Sequence, residues 1–459
     1  MLTPAVAPRA RWGVLLAIGL GTFMSALDGS VVNIVLPVVR QSFGASVAGI
    51  EWVVTVYLLV VSGLLLSVGR LGDLRGHRDV YTAGFLVFLL GSALCGLAPS
   101  VGFLVAARAA QAVGASMLFA NSPAILTKSF PAEMRGRALG LQATMTYLGL
   151  TVGPSIGGWL TTALGWRSVF YINLPVGLLA LALALRFVPR DAGRAAAEDF
   201  DLRGALTFTA GLVALLLALN QGHAWGWTAP ATLALLAAAA ALLVLFVVLE
   251  RRVASPMLDL NLFRSRTFSA AAASALLNYM CVYTVLFLMP FYLLQARGLT
   301  PARAGLLLTA QPLLMAIVAP LSGSLSDRVG TRLPSVLGMG VFGLGLFLLS
   351  GLDLGSSNGE IIGVLAIAGV GIGVFVSPNN SALMGAAPAH RQGIAAGILA
   401  LARNVGMVVG VGFAGAVFTT ILGSSAGSEA SAIVAAMRTS YLLAAGVAVV
   451  GMGVAALRS

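Results

Sequence analysis

Residues 69–78 read Gly-Arg-Leu-Gly-Asp-Leu-Arg-Gly-His-Arg, and residues 323–332 read Gly-Ser-Leu-Ser-Asp-Arg-Val-Gly-Thr-Arg. Both follow the pattern G-x-L-x-D-x-x-G-x-R. Each stretch separates two long apolar runs, 51–69 from 80–98 in one case and 302–325 from 333–351 in the other. Each joins the second and third runs of a set of six. The chain is therefore read as two similar halves. Such repeats mark transporters whose substrate site lies at the midplane between related bundles.

The rest of the sequence agrees with a lipid setting. Of 459 residues, 59% are hydrophobic and only 9% charged, against roughly 25% charged in a soluble domain. A water-soluble globule of this composition could not cover itself with polar surface. Apolar runs fall near 12–39, 51–69, 80–98, 101–122, 137–161, 166–188, 204–221, 230–249, 268–294, 302–325, 333–351, 360–386, 394–422 and 432–457. These fourteen runs are each long enough for a membrane helix of about 20 residues. Their continuity excludes the short alternating strands of a membrane barrel. With the N-terminus placed in the cytoplasm, basic residues fall about four to one on the cytoplasmic side. One missed helix would scramble that bias downstream. Both termini are expected on the cytoplasmic face. The first run is too long for a cleavable leader and is expected to act as the insertion signal itself.

The net charge of +12 comes with a single lysine, Lys128, and no basic stripe interleaved with aromatics. No nucleic-acid partner is expected. The parse is a six-helix bundle over 1–189, a two-helix segment with cytoplasmic linkers over 190–266, and a second six-helix bundle over 267–459.

Further motifs stand in order along the first half. Helix 1 carries Leu27-Asp28-Gly-Ser30-Val-Val-Asn33-Ile-Val-Leu36-Pro37, and helix 2 opens Glu51-Trp52-Val-Val-Thr55-Val-Tyr57-Leu58. Helix 4 has Arg108-Ala-Ala-Gln111-Ala112-Val-Gly114, and helix 5 has Gly149-Leu-Thr-Val-Gly153-Pro154-Ser-Ile-Gly157-Gly158. Helix 6 begins Trp166-Arg167-Ser-Val-Phe170-Tyr-Ile-Asn173-Leu-Pro175-Val-Gly177. With the loop Gly69 to Arg78, these six motifs resemble the major facilitator superfamily, and specifically its fourteen-helix drug:proton antiporter branch. The resemblance covers nearly the whole chain. Three positions depart from the family pattern: Leu74 where arginine is commonest, Ser30 for threonine, and Ala112 for glycine. The resemblance implies an all-α membrane fold of two six-helix bundles plus two inserted helices. It also implies a monomer in the inner or cytoplasmic membrane. The activity implied is multidrug efflux, with amphipathic, often cationic drugs exported in exchange for protons by alternating access.

Asp28 is the most informative residue. It lies about 24 Å along helix 1, where a carboxylate costs several kcal/mol unless paired, protonated or wetted. It is expected to carry a proton or bind a cation, against the alternative of a structural hydrogen bond. Arg108 is the one basic residue read as well inside a span, at a depth similar to Asp28. In the resembling fold helices 1 and 4 both line the central cavity, so the two are expected to interact. The alternative is that Arg108 only caps carbonyls of its own half. Glu51, near the outer mouth, is either a second proton-coupling group or a surface carboxylate.

The loop motifs give gating candidates: Gly69, Asp73, Arg75, Gly76 and Arg78 in the first repeat, Asp327 and Arg328 in the second. The family reading is a latch that docks Asp73 near the start of the eleventh helix of the twelve-helix core, around Arg391 to Gly397. The plain reading is a solvated ion pair worth under ~1 kcal/mol. Gly149, Gly153 and Gly157 recur every four residues, which allows close helix approach, and Pro154 bends the helix. With Gly158 they are expected to form a contact between the halves. Candidate cavity residues are Asn33, Trp52, Tyr57, Gln142, Met145, Tyr147, Asn278, Tyr279, Tyr283, Gln311, Asn379 and Asn380, each equally readable as packing.

No cofactor is expected, since the proton gradient supplies the energy. No phosphate-cradling loop surrounds Lys128, no His/Cys/Asp cluster suggests a metal, and no nucleophile–base set suggests an enzyme. Two other readings stay open: a dedicated proton-coupled exporter of an endogenous metabolite or lipid-like molecule, and a non-transporting membrane sensor or scaffold.

Overall fold

The computed structural model of the chain describes residues 8–190, 201–226, 228–251, 260–388, 392–424 and 428–458. Among these residues every regular element is helical. The first bundle comprises α1 (Pro8–Phe43), α2 (Val47–Arg75), α3 (His77–Gly96), α4 (Val101–Ser129) and α5 (Ala132–Leu164). It closes with α6, which runs Ser168–Phe187 with a break at Ile172. Then come α7 (Leu202–Trp225) and α8 (Pro230–Glu250). The second bundle begins with α9 (Arg266–Phe291), which ends in a wider π turn at Tyr292–Ala296. It continues with α10, formed by Pro301–Leu308 and Ala310–Val329 meeting at Thr309. The last four are α11 (Arg332–Leu349), α12 (Asn358–Gly385), α13 (Gln392–Ser424) and α14 (Glu429–Ala456).

Every apolar run falls on one of these fourteen helices. Thirteen are long and apolar enough to cross a membrane. The remaining one, α5, is 33 residues long and includes positions outside the described set. Short turns separate the helices, and their ends are capped locally. Ser46, Ser100, Ser265, Thr300, Ser357 and Ser428 each accept a hydrogen bond from a first-turn amide, which satisfies donors that helix geometry leaves free. At Ser357 the Glu360 side chain returns the favour, completing a capping box.

The repeated loop has a physical reason for its last glycine. Gly76 and Gly330 end α2 and α10 at φ +100° and +82°, where a side chain would be strained. The repeat extends into the packing. In the first bundle Gly91 and Gly114 bring α3 and α4 into backbone contact, at Gln111 and Phe88. In the second, Gly338, Gly345 and Gly371 do the same for α11 and α12, at Phe375, Ala368 and Phe342. Small residues let helix backbones touch where lipid supplies no hydrophobic drive for association.

The bundles meet along two seams. On one, α5 faces α10: Gly158 lies against the Pro301 backbone, Gly305 against the Pro154 carbonyl, and the Ser155 and Thr309 hydroxyls bond at 2.7 Å. On the other, α2 faces α13. The added pair sits outside this second seam. There α7 touches both α2 and α13, with the Thr209 hydroxyl donating to the Gly63 carbonyl at 2.7 Å. α8 packs on α7 through Phe208–Phe246 and Gly211, and its other faces are largely exposed.

The glycines of α5 divide their contacts. Gly149, Gly153 and Gly157 face α1 within the same bundle, at Phe23, Ser30 and Val31. Pro154 and Gly158, with Ser155 and Thr162, touch the other half. The stripe is thus an intrabundle contact, and the residues between and beyond it form the contact between halves. A helix presents different faces to different neighbours, and a four-residue repeat tracks only one of them.

Candidate functional site

Asp28 sits on the inner face of α1, 1% exposed. Its Oδ2 accepts from Arg108 Nη1 of α4 at 2.7 Å. Its Oδ1 accepts from Gln111 Nε2 at 3.0 Å and from Asn173 Nδ2 of α6 at 2.7 Å. A carboxylate can accept all three donors at once. Asn173 reaches the group because α6 breaks at Ile172, and its amide also donates to Ser92 Oγ of α3 at 2.9 Å. Ser92 in turn donates to the Phe170 carbonyl at 2.8 Å. Four helices therefore hold one carboxylate.

Arg108 has a second set of partners that does not involve Asp28. Its Nε donates to the Val53 carbonyl of α2 at 3.2 Å, and its Nη1 to Gln111 Oε1 at 2.7 Å. Its guanidinium lies 4.1 Å from the centre of the Tyr57 ring. An arginine so held keeps favourable company even if Asp28 becomes neutral. The pair can therefore exchange a proton at Asp28 without expelling Arg108 from its place. The two readings of Arg108 turn out to be compatible, because it both pairs with Asp28 and bonds a carbonyl of its own bundle.

Glu51 was placed at the outer mouth from its position in the sequence. It is instead fully buried at the seam between α2 and α13. Its Oε1 accepts from Asn220 Nδ2 of α7 at 3.1 Å, and its Oε2 has no hydrogen-bond partner among the described residues. Gly415 of α13 lies flush against the carboxyl, leaving no space for a Cβ. Nothing in the sequence ties residue 51 to residues 220 and 415, which belong to three different parts of the chain.

The gating residues are placed as follows. Asp73, largely exposed, pairs with His77 Nε2 at 3.2 Å. His77 Nδ1 contacts Asn121 Oδ1 of α4 at 2.7 Å. The loop arginine Arg78 donates to the Leu185 carbonyl at the end of α6 at 2.6 Å, tying two helix ends together. Gly69, on α2, is partly buried, and Arg75 and Arg328 are exposed. The side chain of Asp327 and the residues around Arg391, where the latch was expected to dock, lie outside the described residues.

The cavity candidates separate into two groups. Tyr57 on α2, Tyr147 on α5 and Tyr279 and Tyr283 on α9 lie in one region, and Trp52 is partly buried against the core. Met145 lies over Gly19 of α1, and Gln142 donates to Thr22 Oγ1 at 3.2 Å. The second group is engaged inside its own bundle. Asn33 donates to the Gly29 carbonyl of its own helix at 2.7 Å, Asn278 contacts the Met339 sulfur at 3.3 Å, and Asn379 donates to the Ala271 carbonyl at 3.2 Å. Asn379 also accepts from Arg458, whose Nη1 donates to Ser335 Oγ at 2.9 Å. Gln311 is buried where its backbone meets Gly369 of α12. Asn380 is partly buried. Arg403, counted with the cytoplasmic basic residues, lies about 14 Å inside the α13 span that begins at Ile394. Its guanidinium stacks 4.8 Å from the centre of the Tyr279 ring.

Comparison with known proteins agrees with this architecture. The profile of the Major Facilitator Superfamily matches residues 18–258, 202–411 and 271–458. A multidrug resistance protein of Mycobacterium tuberculosis is 39% identical over 91% of this chain and 78% of its own length. A riboflavin transporter of Clostridioides difficile is 35% identical over 97% of this chain and 96% of its own. A tetracenomycin C resistance and export protein of Streptomyces glaucescens is 32% identical over 92% of this chain and 78% of its own. Among solved structures, an inward-facing bacterial homologue of the human lysosomal transporter Spinster superposes with a TM-score of 0.69 at 16% identity, covering 98% of this chain and 97% of that one.

Proposed function

The chain belongs to the Major Facilitator Superfamily, and from that membership we propose that it exports small amphipathic molecules in exchange for protons, with Asp28 as the proton-carrying group. It is a multi-pass membrane protein and a transporter. The single observation that carries the proton assignment is the Asp28–Arg108 pair, sealed from water and cross-linked by Gln111 and Asn173. A buried ion pair is a poor device for stability, since desolvation offsets most of its attraction. It is a good device for exchanging a proton between states that expose it to different sides.

The proposed cycle has few steps. Asp28 is ionised and bound to Arg108 while substrate enters from the cytoplasm. When the bundles reopen outward, a proton arrives from outside and neutralises Asp28. Arg108 then relaxes onto Val53, Gln111 and Tyr57, and substrate leaves. Return to the inward state releases the proton into the cytoplasm. Each inward proton charge supplies about 2.3 kcal/mol per 100 mV of membrane potential. This scheme places the protein in the cytoplasmic membrane with both termini inside, in keeping with the arginine distribution. Glu51 is proposed as a second proton site, at the outer seam.

The test is drug-driven proton release in inverted vesicles under an imposed pH gradient. Wild-type protein is expected to couple the two, and Asp28→Asn to lose the coupling while remaining in the membrane. Coupling that survives in Asp28→Asn overturns the carrier assignment. Similarity to a riboflavin transporter over nearly the full length supports a second reading, a carrier dedicated to one metabolite. Competition among unrelated substrates in the same vesicles separates the two.

A further inference from the structure

We propose that Arg403 is the charge-selecting residue of the substrate site, and that the preferred cargo is a planar aromatic bearing an acidic group, such as a carboxylate, phenolate or enolate. This rests on the exporter reading and departs from the expectation of cationic cargo.

The charge balance of the centre motivates it. Asp28 is consumed by Arg108 and two amide hydrogen bonds. Glu51 is walled off at the seam by Asn220 and Gly415. Arg403 is the remaining formal charge near the centre. Its guanidinium faces an aromatic ring, and no carboxylate among the described residues lies within salt-bridge distance of it. The guanidinium is half-buried and carries five donors in a planar fork, with no acceptor bonded to it among the described residues. A fork of this kind matches two oxygens of an acidic group.

The local fold directs it there. Gly406 and Gly410 press α13 against the carbonyls of Leu276 and Met280 on α9. That contact sets Arg403 beside Tyr279, which lies between them in sequence. Tyr147, from the opposite bundle, and Tyr283 are both within electrostatic range of Tyr279 and Arg403. Tyr283 is also within range of Tyr57, which lies under Arg108. Tyr57 lies under Arg108 and Tyr279 under Arg403, with Tyr283 and Tyr147 in the same region. Aromatic faces bind flat ring systems. Arg108 is matched by Asp28, whereas Arg403 has no carboxylate within salt-bridge distance among the described residues, so a cation bound beside it meets repulsion in a medium that screens it poorly.

Fluorescein and rhodamine 6G provide the probe, because they share a xanthene ring and carry opposite charge. Binding to the purified full-length protein in lipid nanodiscs is followed by fluorescence polarisation. Wild-type protein is expected to bind fluorescein about tenfold or more tightly than rhodamine 6G. Arg403→Gln is expected to erase that preference by weakening fluorescein alone, and Arg403→Lys to keep part of it. Absence of an anion preference in the wild type overturns the proposal whether or not either variant folds. Equal weakening of both dyes by Arg403→Gln, in monodisperse protein, also overturns it, since that marks a structural role. The exporter reading is judged separately by proton release in vesicles, which a failed dye preference leaves standing.

Discussion

Arg108 binds the Asp28 carboxylate at 2.7 Å while its Nε holds the Val53 carbonyl at 3.2 Å, so one guanidinium joins α1, α2 and α4. The two partners of the pair are therefore not equivalent on removal. Losing Asp28 leaves an arginine with other acceptors, whereas losing Arg108 leaves a buried carboxylate with only amides.

Asp28→Asn is expected to fold and reach the membrane at near wild-type levels. Arg108→Ala is expected to lose about 3–5 kcal/mol, the cost of stranding one member of a buried pair. Thermal unfolding of the purified proteins, followed by intrinsic fluorescence, compares them. Equal loss in both variants contradicts the asymmetry.

Asn173→Leu removes one of the three donors on Asp28 and the donor to Ser92, which keeps its own bond to the Phe170 carbonyl. A buried hydrogen bond to a charged group is worth about 1.5–3 kcal/mol. The variant is expected to lose stability of that order and part of its proton-coupled export. Thermal unfolding identical to wild type counts against Asn173 as a partner of Asp28.

Glu51→Gln keeps the acceptor for Asn220 and makes the side chain permanently neutral, at a place where no cation among the described residues lies within salt-bridge distance. The variant is expected to be at least as stable as wild type and to favour the state in which α2 and α13 are in contact. Glu51→Lys is expected to prevent that contact. Distances between spin labels on the outer ends of α2 and α13 measure both effects, and an unchanged distribution in the two variants would count against Glu51 as a seam group.

Gly158→Leu pushes a side chain into the Pro301 backbone. The outer contact between α5 and α10 should then fail to close. Ser155→Cys placed in this background should label faster with a membrane-impermeant maleimide than in the parent. Background is low because Cys95 and Cys281 are both buried.

The helix count was legible because lipid imposes it: each span must be apolar for about 20 residues, and arginines mark the turns. The Asp28–Arg108 contact was legible because the two charges lie at similar depth and, in the family the sequence resembles, helices 1 and 4 both line the central cavity. Asn173 could be quoted as part of a motif, but its reach to Asp28 depends on the break at Ile172, which its neighbours in sequence do not announce. Glu51 is legible only as a carboxylate near the outer mouth, a proton-coupling group or a surface one, because its burial is made by residues 220 and 415, far away in the chain. Arg403 was counted as a topology marker because α13 continues well past the run's first residues. The glycines of α5 were legible as a stripe, but periodicity identifies a face without saying what it meets.

α7 touches α2 of one half and α13 of the other. Any motion that parts those two helices has to abandon one of its contacts or stretch the Glu51–Asn220 bond. Among the described residues no helix outside the two bundles bridges the α5–α10 side. Opening the α2–α13 seam therefore has a bridging helix to displace, and opening the other does not.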